Sequence, residues 1–370
     1  MTRRSPCVLF HSAIGATLNL FVAPVSAALA EHGVRRIAVV GRDSVPPGMA
    51  ACFDEIHEVT AFRRGSLRAI ARAGAELHRV VRSTRPDLMH LHTPYAVALG
   101  RVVARLTGTP HIAVIHGTFF EEPGRAARLF SLVEGATAWL TRTYVTVNGQ
   151  DRDSYRRLAP RSRVKLAPCG GAGIDIDRLR ADAASRAAMP GRPPRVLALG
   201  RLTPDKNLDL AVAAWRAARA QVPGLELRIV GSTMPGELPW HPPDEHGITT
   251  GSWTDAPGRE LAQADVLLST SRREGFGMTL AEALVLGTRV VAVANRGSRA
   301  VAEQAGVGIS LTPGQPDEVA AALVERLRAP STTMLSSISE AWARQTVVDF
   351  HTAHILEELG HPAGVGTAHA

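Results

Sequence analysis

At 370 residues, with 45% hydrophobic side chains, the chain is long enough for two separately cored domains and too apolar to be disordered. Its formal charge of +8 invites a nucleic acid or a membrane surface, but the positive charge is nearly all arginine, lysine occurring only at Lys165 and Lys206, and genome composition alone produces such a bias. Cys7, Cys52 and Cys169 stand far apart without a C-x-x-C, which excludes a disulfide framework and a zinc site and fits a reducing cytoplasm.

The N-terminus imitates a secretory leader: Arg3-Arg4, an uncharged run over 12–30, and an Ala28-Leu29-Ala30 resembling a cleavage site. Gly15, Asn19 and Pro24 interrupt that run, which leads directly into a second apolar strand, so it reads as part of a folded βα unit. A strand at 7–10 meets a small-residue loop at 12–17, and a helical pattern then runs to Glu31 and stops at Gly33. Strands follow at 36–40, 53–59, 87–92, 111–116, 144–147 and 164–166. Helices lie between them, one capped by Ser66 and running towards Arg82, another over 95–106. The alternation breaks into Pro and Gly at 167–175 and again at 189–194, and a fresh series begins with strands at 195–199, 225–230, 266–269 and 289–293.

Strands separated by helix-length segments predict an α/β protein with two parallel, doubly wound, Rossmann-like sheets. The expected division is an N-terminal domain over 1–170, a linker over 171–194, a second domain over 195–336, C-terminal helices over 337–358 packing back on the first domain, and a tail over 359–370. Open parallel sheets bind ligands beyond the carboxyl ends of their strands, so a central cleft faced by two such edges is the expected site.

Two segments of the second domain carry chemistry. In Gly200-Arg-Leu-Thr-Pro-Asp-Lys206, at the end of its first strand, Arg201 offers a planar fork and Lys206 a compact charge, a pairing suited to a diphosphate. In Ser271-Arg-Arg-Glu-Gly-Phe-Gly-Met-Thr-Leu-Ala-Glu-Ala283, between a strand and a helix, Gly275 and Gly277 let the backbone approach a ligand. The N–H groups of Gly277, Met278 and Thr279 open the helix as an anion site. Glu274 and Glu282 are wasted on a phosphate but accept hydrogen bonds from sugar and ribose hydroxyls. A diphosphate between two polyols accounts for both acids and both bases.

Here the chain resembles a known family. EGFGMTLAE is similar to the E-x7-E motif of retaining GT-B glycosyltransferases of family 4, and GRLTPDKN to that family's strand-end Arg and Lys. FDEIHEV, RPDLMHLHTPYAVALGR, IHGTFF, VKLAPCGGAGID, LRIVG, ADVLLSTSRREGFG and GTRVVAVANRGS extend the likeness over most of the chain. FDEIHEV and HLHTPYAVALGR look closest to the capsule and lipid-linked oligosaccharide branch. The resemblance implies a GT-B fold and a nucleotide-sugar donor, with UDP the first choice and a hexose or N-acetylhexosamine as its sugar. It implies Arg201 and Lys206 on the diphosphate, Glu274 on the donor sugar, Glu282 on the ribose, and the segment Gly275, Phe276, Gly277, Met278 and Thr279 against the donor. It also implies His116 approaching the sugar from the acceptor-side domain, the Gly15 loop closing over the donor, and no metal or separate cofactor. The implied acceptor is a lipid-linked saccharide or a small natural product, and the implied setting is the cytoplasm of a bacterium, with peripheral contact at an anionic membrane.

Some residues depart from the family pattern. The loop SAIGAT has a single glycine, Arg289 replaces a usual proline, and Ala300 replaces a frequent glutamate. Asp151-Arg-Asp153 and Asp175-Ile-Asp177 spell the metal-binding D-x-D of another glycosyltransferase fold, but each reads better as a helix cap. His90 and His92 alternate on a strand and read as buried structural partners. The helix over 66–85 interleaves Arg68, Arg72, Arg79 and Arg82 with apolar residues, a solvated face that also suits anionic lipid. Two competing readings are a nucleotide-sugar epimerase or hydrolase of the same architecture, and a basic nucleic-acid-binding protein. Against the second, the arginines are scattered and aromatics make up only 5% of the chain.

Overall fold

The structure is a computed structural model, and it describes residues 4–61, 66–118, 124–184, 191–233, 238–306, 308–329 and 336–360. Phe119 and Phe120 of the IHGTFF motif, 189–190 of the second Pro/Gly break and 361–370 of the expected tail lie outside the described residues. The chain divides into two compact units, residues 1–173 with 345–370, and residues 174–344.

Unit 1 holds β1 (Cys7–Ser12), α1 (Gly15–Phe21), α2 (Ala23–Glu31), β2 (Arg35–Gly41), β3 (Glu55–Val59), α3 (Leu67–Thr84), β4 (Leu88–His92), α4 (Pro94–Thr107), β5 (His111–Ile115), α5 (Arg125–Thr137), β6 (Thr143–Thr146), α6 (Gly149–Leu158) and β7 (Arg163–Leu166). Its seven strands are all parallel in the order β3-β2-β1-β4-β5-β6-β7. Alternate residues feed cores on opposite faces of the sheet, Leu9, Ile37, Leu91 and Ala113 on one, Val8, Phe10, Ala38 and Ile112 on the other. Ser66 caps α3 by accepting a hydrogen bond from the Ala69 N–H. The single helix expected up to Glu31 is two helices. Pro24 has no N–H to continue the first ladder, so a new helix starts after Val22.

Unit 2 holds α7 (Ile176–Ala184), β8 (Arg195–Leu199), α8 (Leu208–Arg219), β9 (Glu226–Val230), β10 (Ile248–Gly251), α9 (Pro257–Ala262), β11 (Val266–Ser269), α10 (Met278–Val285), β12 (Arg289–Val293), α11 (Arg296–Ala305), β13 (Ile309–Thr312), α12 (Pro316–Arg328) and α13 (Ser336–Trp342). Its six strands are parallel in the order β10-β9-β8-β11-β12-β13, with Trp215 at the centre of the core beneath β8 and β9. The expected linker is thus partly helix α7, seated on unit 2 against α9.

The C-terminal stretch also departs from expectation. It breaks at Ala343, where Trp342 and Arg344 exchange backbone hydrogen bonds with Ile174. α13 stays with unit 2, and only α14 (Arg344–Glu358) runs into unit 1, where Glu357 and Glu358 pair with Arg163 and Lys165. Among the described residues no helix is long and apolar enough to cross a membrane.

Candidate active site

In both sheets the strand order reverses beside the first strand of the unit, between β1 and β4 and between β8 and β11, which is where open α/β sheets take ligands. The two segments singled out in the sequence follow β8 and β11, the strands flanking that point in unit 2. They are stitched together: Thr270 Oγ1 donates to the Lys206 carbonyl (2.9 Å) and the Arg272 N–H to the Asp205 carbonyl (2.9 Å). Asn207 turns the chain with φ of 52°, a left-handed conformation that Asn tolerates, and so sets Lys206 at the end of its turn.

Lys206 Nζ lies 2.5 Å from Glu274 Oε1, and Ser271 Oγ donates to the same oxygen at 2.9 Å. Arg201 reaches Asp205 at 3.2 Å. Burial works against the Asp205 charge, but a bond from Thr203 and the charges of Arg201 and Lys206 outweigh it and hold the carboxyl below its ordinary range. An anion arriving here meets two cations already held by carboxylates.

Gly277, at φ of 78°, ends the second loop and opens α10 with no side chain capping it, so the first N–H groups of the helix at Met278 and Thr279 point outward from the turn. The Phe276 ring does not share that role. It is buried edge-on against Trp342, with centroids 6.1 Å apart, which leaves only its backbone for a ligand. Glu282, one turn into α10, is partly buried, and burial pushes its carboxyl up to about 7 against the opposing charge of Arg344.

The segment ANRGS, to which local pattern assigns no task, supports the loop that carries Glu274. Asn295 and Ser298 form a capping box on α11, and Asn295 Nδ2 donates to the Ser271 carbonyl at 2.8 Å. A side chain at Gly297 would come within 2.5 Å of Glu274 Cβ, so the glycine makes room for Glu274. The available signal was N-x-x-S spacing at a helix start.

On unit 1, His116 follows β5 with its Nε2 2.9 Å from His92 Nδ1 and its ring 4.2 Å from Phe21, and burial depresses it to about 3, so it is neutral. Gly15 has a packing role. A Cβ there would lie 2.0 Å from the Ser44 carbonyl oxygen, and its N–H already donates to Ser44 Oγ.

Two family models match the chain, "Glycosyltransferase Family 4" over residues 19–178 and "Glycosyl transferases group 1" over 193–329. The chain belongs to the group 1, family 4-like glycosyltransferases. It is 31% identical over 173 residues to a GDP-mannose-dependent α-(1-6)-phosphatidylinositol monomannoside mannosyltransferase of Mycobacterium tuberculosis, covering 42% of this chain and 45% of that protein. It is 28% identical over 267 residues to the 2-deoxystreptamine N-acetyl-D-glucosaminyltransferase of Streptomyces fradiae, covering 66% and 63%. The chain thus spans less than two thirds of the length of these relatives. Its fold is GT-B, two Rossmann-like domains. Sucrose-phosphate synthase from Thermosynechococcus elongatus superposes with a TM-score of 0.76 at 18% identity over 96% of this chain and 99% of that one. Anabaena HepE in complex with UDP-glucose does so with 0.71 at 16% over 95% and 99%.

The departures of this family 4-like chain have structural accounts in part. Arg289 opens β12, and its guanidinium donates to the Asp265 and Ala329 carbonyls, tying strand starts to the end of α12. Ala300 is buried in α11. Of the two D-x-D spellings, the first departs from the expected capping role. Asn148, not an aspartate, caps α6; Asp151 is buried inside its first turn between Thr118 and Asn148, and Asp153 pairs with Arg152. Asp175 does cap α7, accepting from the Arg178 N–H. Among the described residues no group of three or more His, Cys, Asp and Glu could hold a metal. A hollow of about 550 Å³, lined by Arg192, Asp265 and Arg289, lies at the amino ends of β8, β11 and β12, the edge where an open parallel sheet does not bind its ligand.

Proposed function

We propose that the protein transfers a hexose or N-acetylhexosamine from a nucleoside-diphosphate donor, UDP-linked, to a lipid-linked saccharide, with retention at the anomeric carbon. The observation that carries this reading is the Lys206–Glu274–Ser271 cluster beside the uncapped start of α10, at the reversal point of the unit 2 sheet. Donor binding exchanges partners: Lys206 leaves Glu274 for a phosphate oxygen, and Glu274 turns to the sugar hydroxyls. Departure of the diphosphate is stabilised by Arg201, Lys206 and the N–H groups at Met278 and Thr279, without a metal or separate cofactor. Glu282 meets the ribose, and the neutral imidazole of His116 meets the sugar.

The lipid-linked acceptor is supported by α5. Its outward face carries Leu129, Leu132 and Val133 at 63%, 70% and 37% exposure, and Trp139 just beyond it stands at 70%. Arg125 and Arg128 flank them, and the one carboxylate on the helix, Glu134, is buried against Arg101. Exposed leucines, a tryptophan and arginines on one face suit an anionic bilayer. α3 buries Leu77 and Val81 and leaves Leu67 exposed at its start, a narrower apolar surface than that of α5. A small aminocyclitol acceptor is the second reading, favoured by the match to the 2-deoxystreptamine enzyme over 66% of this chain.

The test is mass spectrometry of the full-length protein with UDP-, GDP- and dTDP-sugars, with bacterial lipid extract, with aminocyclitols, or alone. A new glycolipid from one donor is the expected result. A new aminocyclitol glycoside would move the acceptor, and complete donor turnover without acceptor would replace transfer by epimerisation or hydrolysis.

A further inference from the structure

Three imidazoles of unit 1 are joined head to tail. His90 Nδ1 lies 2.7 Å from His92 Nε2, and His92 Nδ1 lies 2.9 Å from His116 Nε2. The first two project from the same face of β4, two residues apart, and the third follows β5, the neighbouring strand. The outer nitrogens, His90 Nε2 and His116 Nδ1, are buried and have no hydrogen-bond partner among the described residues. Phe10 and His351 enclose the His90 end, with ring centroids 5.4 and 6.0 Å away, and Phe21 covers the His116 end. Burial keeps all three rings neutral, far below the ordinary histidine range, with the neighbouring His351 depressed to about 4 by the same cause.

A neutral imidazole carries one N–H and one lone pair. Each of the two bonds needs one of each, so the three rings must hold their protons in the same sense, all on Nδ1 or all on Nε2. One ring out of phase would set two lone pairs or two N–H groups face to face within hydrogen-bond distance. His116 therefore cannot change tautomer alone. The change requires all three rings to follow, with a proton entering at one end of the chain and leaving at the other, and the His90 end is closed by Phe10 and His351. Thr93, directly after His92, sits at φ of 67° and ψ of 144°, and its hydroxyl accepts the Ala13 N–H at 3.2 Å. Such a conformation is costly for a threonine and marks a place where the end of β4 is held to a set geometry.

We propose that His92 and His90 are positioning residues that lock His116 in one tautomer, and so decide whether its Nδ1, buried beneath Phe21, holds a proton or a lone pair. That His116 acts on the sugar rests on the function proposed above; the lock does not. Its role parallels that of any group that holds a reacting imidazole in one tautomer, whose loss is catalytically expensive.

The test uses full-length protein labelled with ¹⁵N-histidine, without ligand, read by long-range ¹H–¹⁵N correlation from about pH 6 to about pH 8. The expected result is three neutral rings sharing one tautomeric sense. Opposite senses, or protonation of any one ring alone in that range, overturns the proposal whether or not the protein transfers sugar. His92→Phe should then leave His116 as a mixture of tautomers and lower kcat on the order of tenfold with donor KM unchanged. An unchanged His116 signal with unchanged kcat also overturns it. If that variant fails to fold, His90→Phe breaks the first bond only and is read the same way.

Discussion

Lys206 and Glu274 neutralise each other across the gap between the loops that leave β8 and β11, although 68 residues separate them in the chain. The pair holds the site ready without a bound anion. In the reaction proposed above, the cation for the diphosphate and the carboxylate for the sugar are released by the same event.

Removing either cation should therefore cost transition-state stabilisation rather than fold. Arg201→Ala and Lys206→Ala are each expected to lower turnover by roughly 10² to 10³, the usual scale for losing one preorganised donor. Steady-state kinetics on the donor found by mass spectrometry measures this, and a loss of only a few-fold would remove that residue from the mechanism.

Glu274→Gln separates the two halves of the pair. Turnover should fall by a similar factor, while affinity for free nucleoside diphosphate, measured by calorimetry, should hold or tighten because Lys206 no longer has a carboxylate to leave. Weakened nucleotide binding would assign Glu274 to the nucleotide instead.

Glu282 gives a pH signature. Its folded-state carboxyl, raised from 4.5 to about 7 by burial, binds a proton that the unfolded chain has already lost. Its contribution to stability is thus fully present below about 4.5 and is lost as pH rises through about 7. Glu282→Gln should match wild type in Tm at low pH and exceed it at pH above about 8, as read by thermal denaturation. A Tm difference that does not grow with pH would place the carboxyl in contact with water.

The α5 surface predicts a salt-sensitive association with vesicles containing phosphatidylglycerol and none with pure phosphatidylcholine. Leu129→Ser with Leu132→Ser should weaken co-sedimentation by about tenfold or more while leaving donor hydrolysis unchanged. Absence of binding by the wild-type chain would withdraw the membrane contact and favour the small-molecule acceptor.

Arg101 and Glu134 form a fully buried pair, in which Arg101 also donates to Thr137 and Tyr155 donates to the Glu134 oxygen that Arg101 holds, while Arg101 Nε and Glu134 Oε2 have no bond partner among the described residues. Arg101→Met strands the Glu134 charge and should destabilise unit 1 by about 3–5 kcal/mol. Adding Glu134→Leu should recover most of that loss, as chemical denaturation would show. An equally unstable double variant would mean that packing, and not the charge, is what Arg101 supplies.

Much of this molecule was legible in one dimension. β8, β11 and β12 lie where alternating apolar runs put them, because a strand buried on both faces needs a continuous apolar stretch whatever surrounds it. The placement of the loops GRLTPDK and SRREGFG, Gly200 to Lys206 and Ser271 to Gly277, at the carboxyl ends of two strands was also readable. What local pattern could not supply was partnership. Asp151 looked like a cap and is a buried acceptor, the ring of Phe276 is core, and His90 and His92 looked like buried structural histidines and are one chain with His116. In each case the deciding neighbour is distant in sequence, Thr118 and His116 in the loop that follows β5 and Trp342 at the end of α13, and only the packed fold brings it close. Residue type and spacing determine which groups are offered; only the packed sheet decides which of them meet.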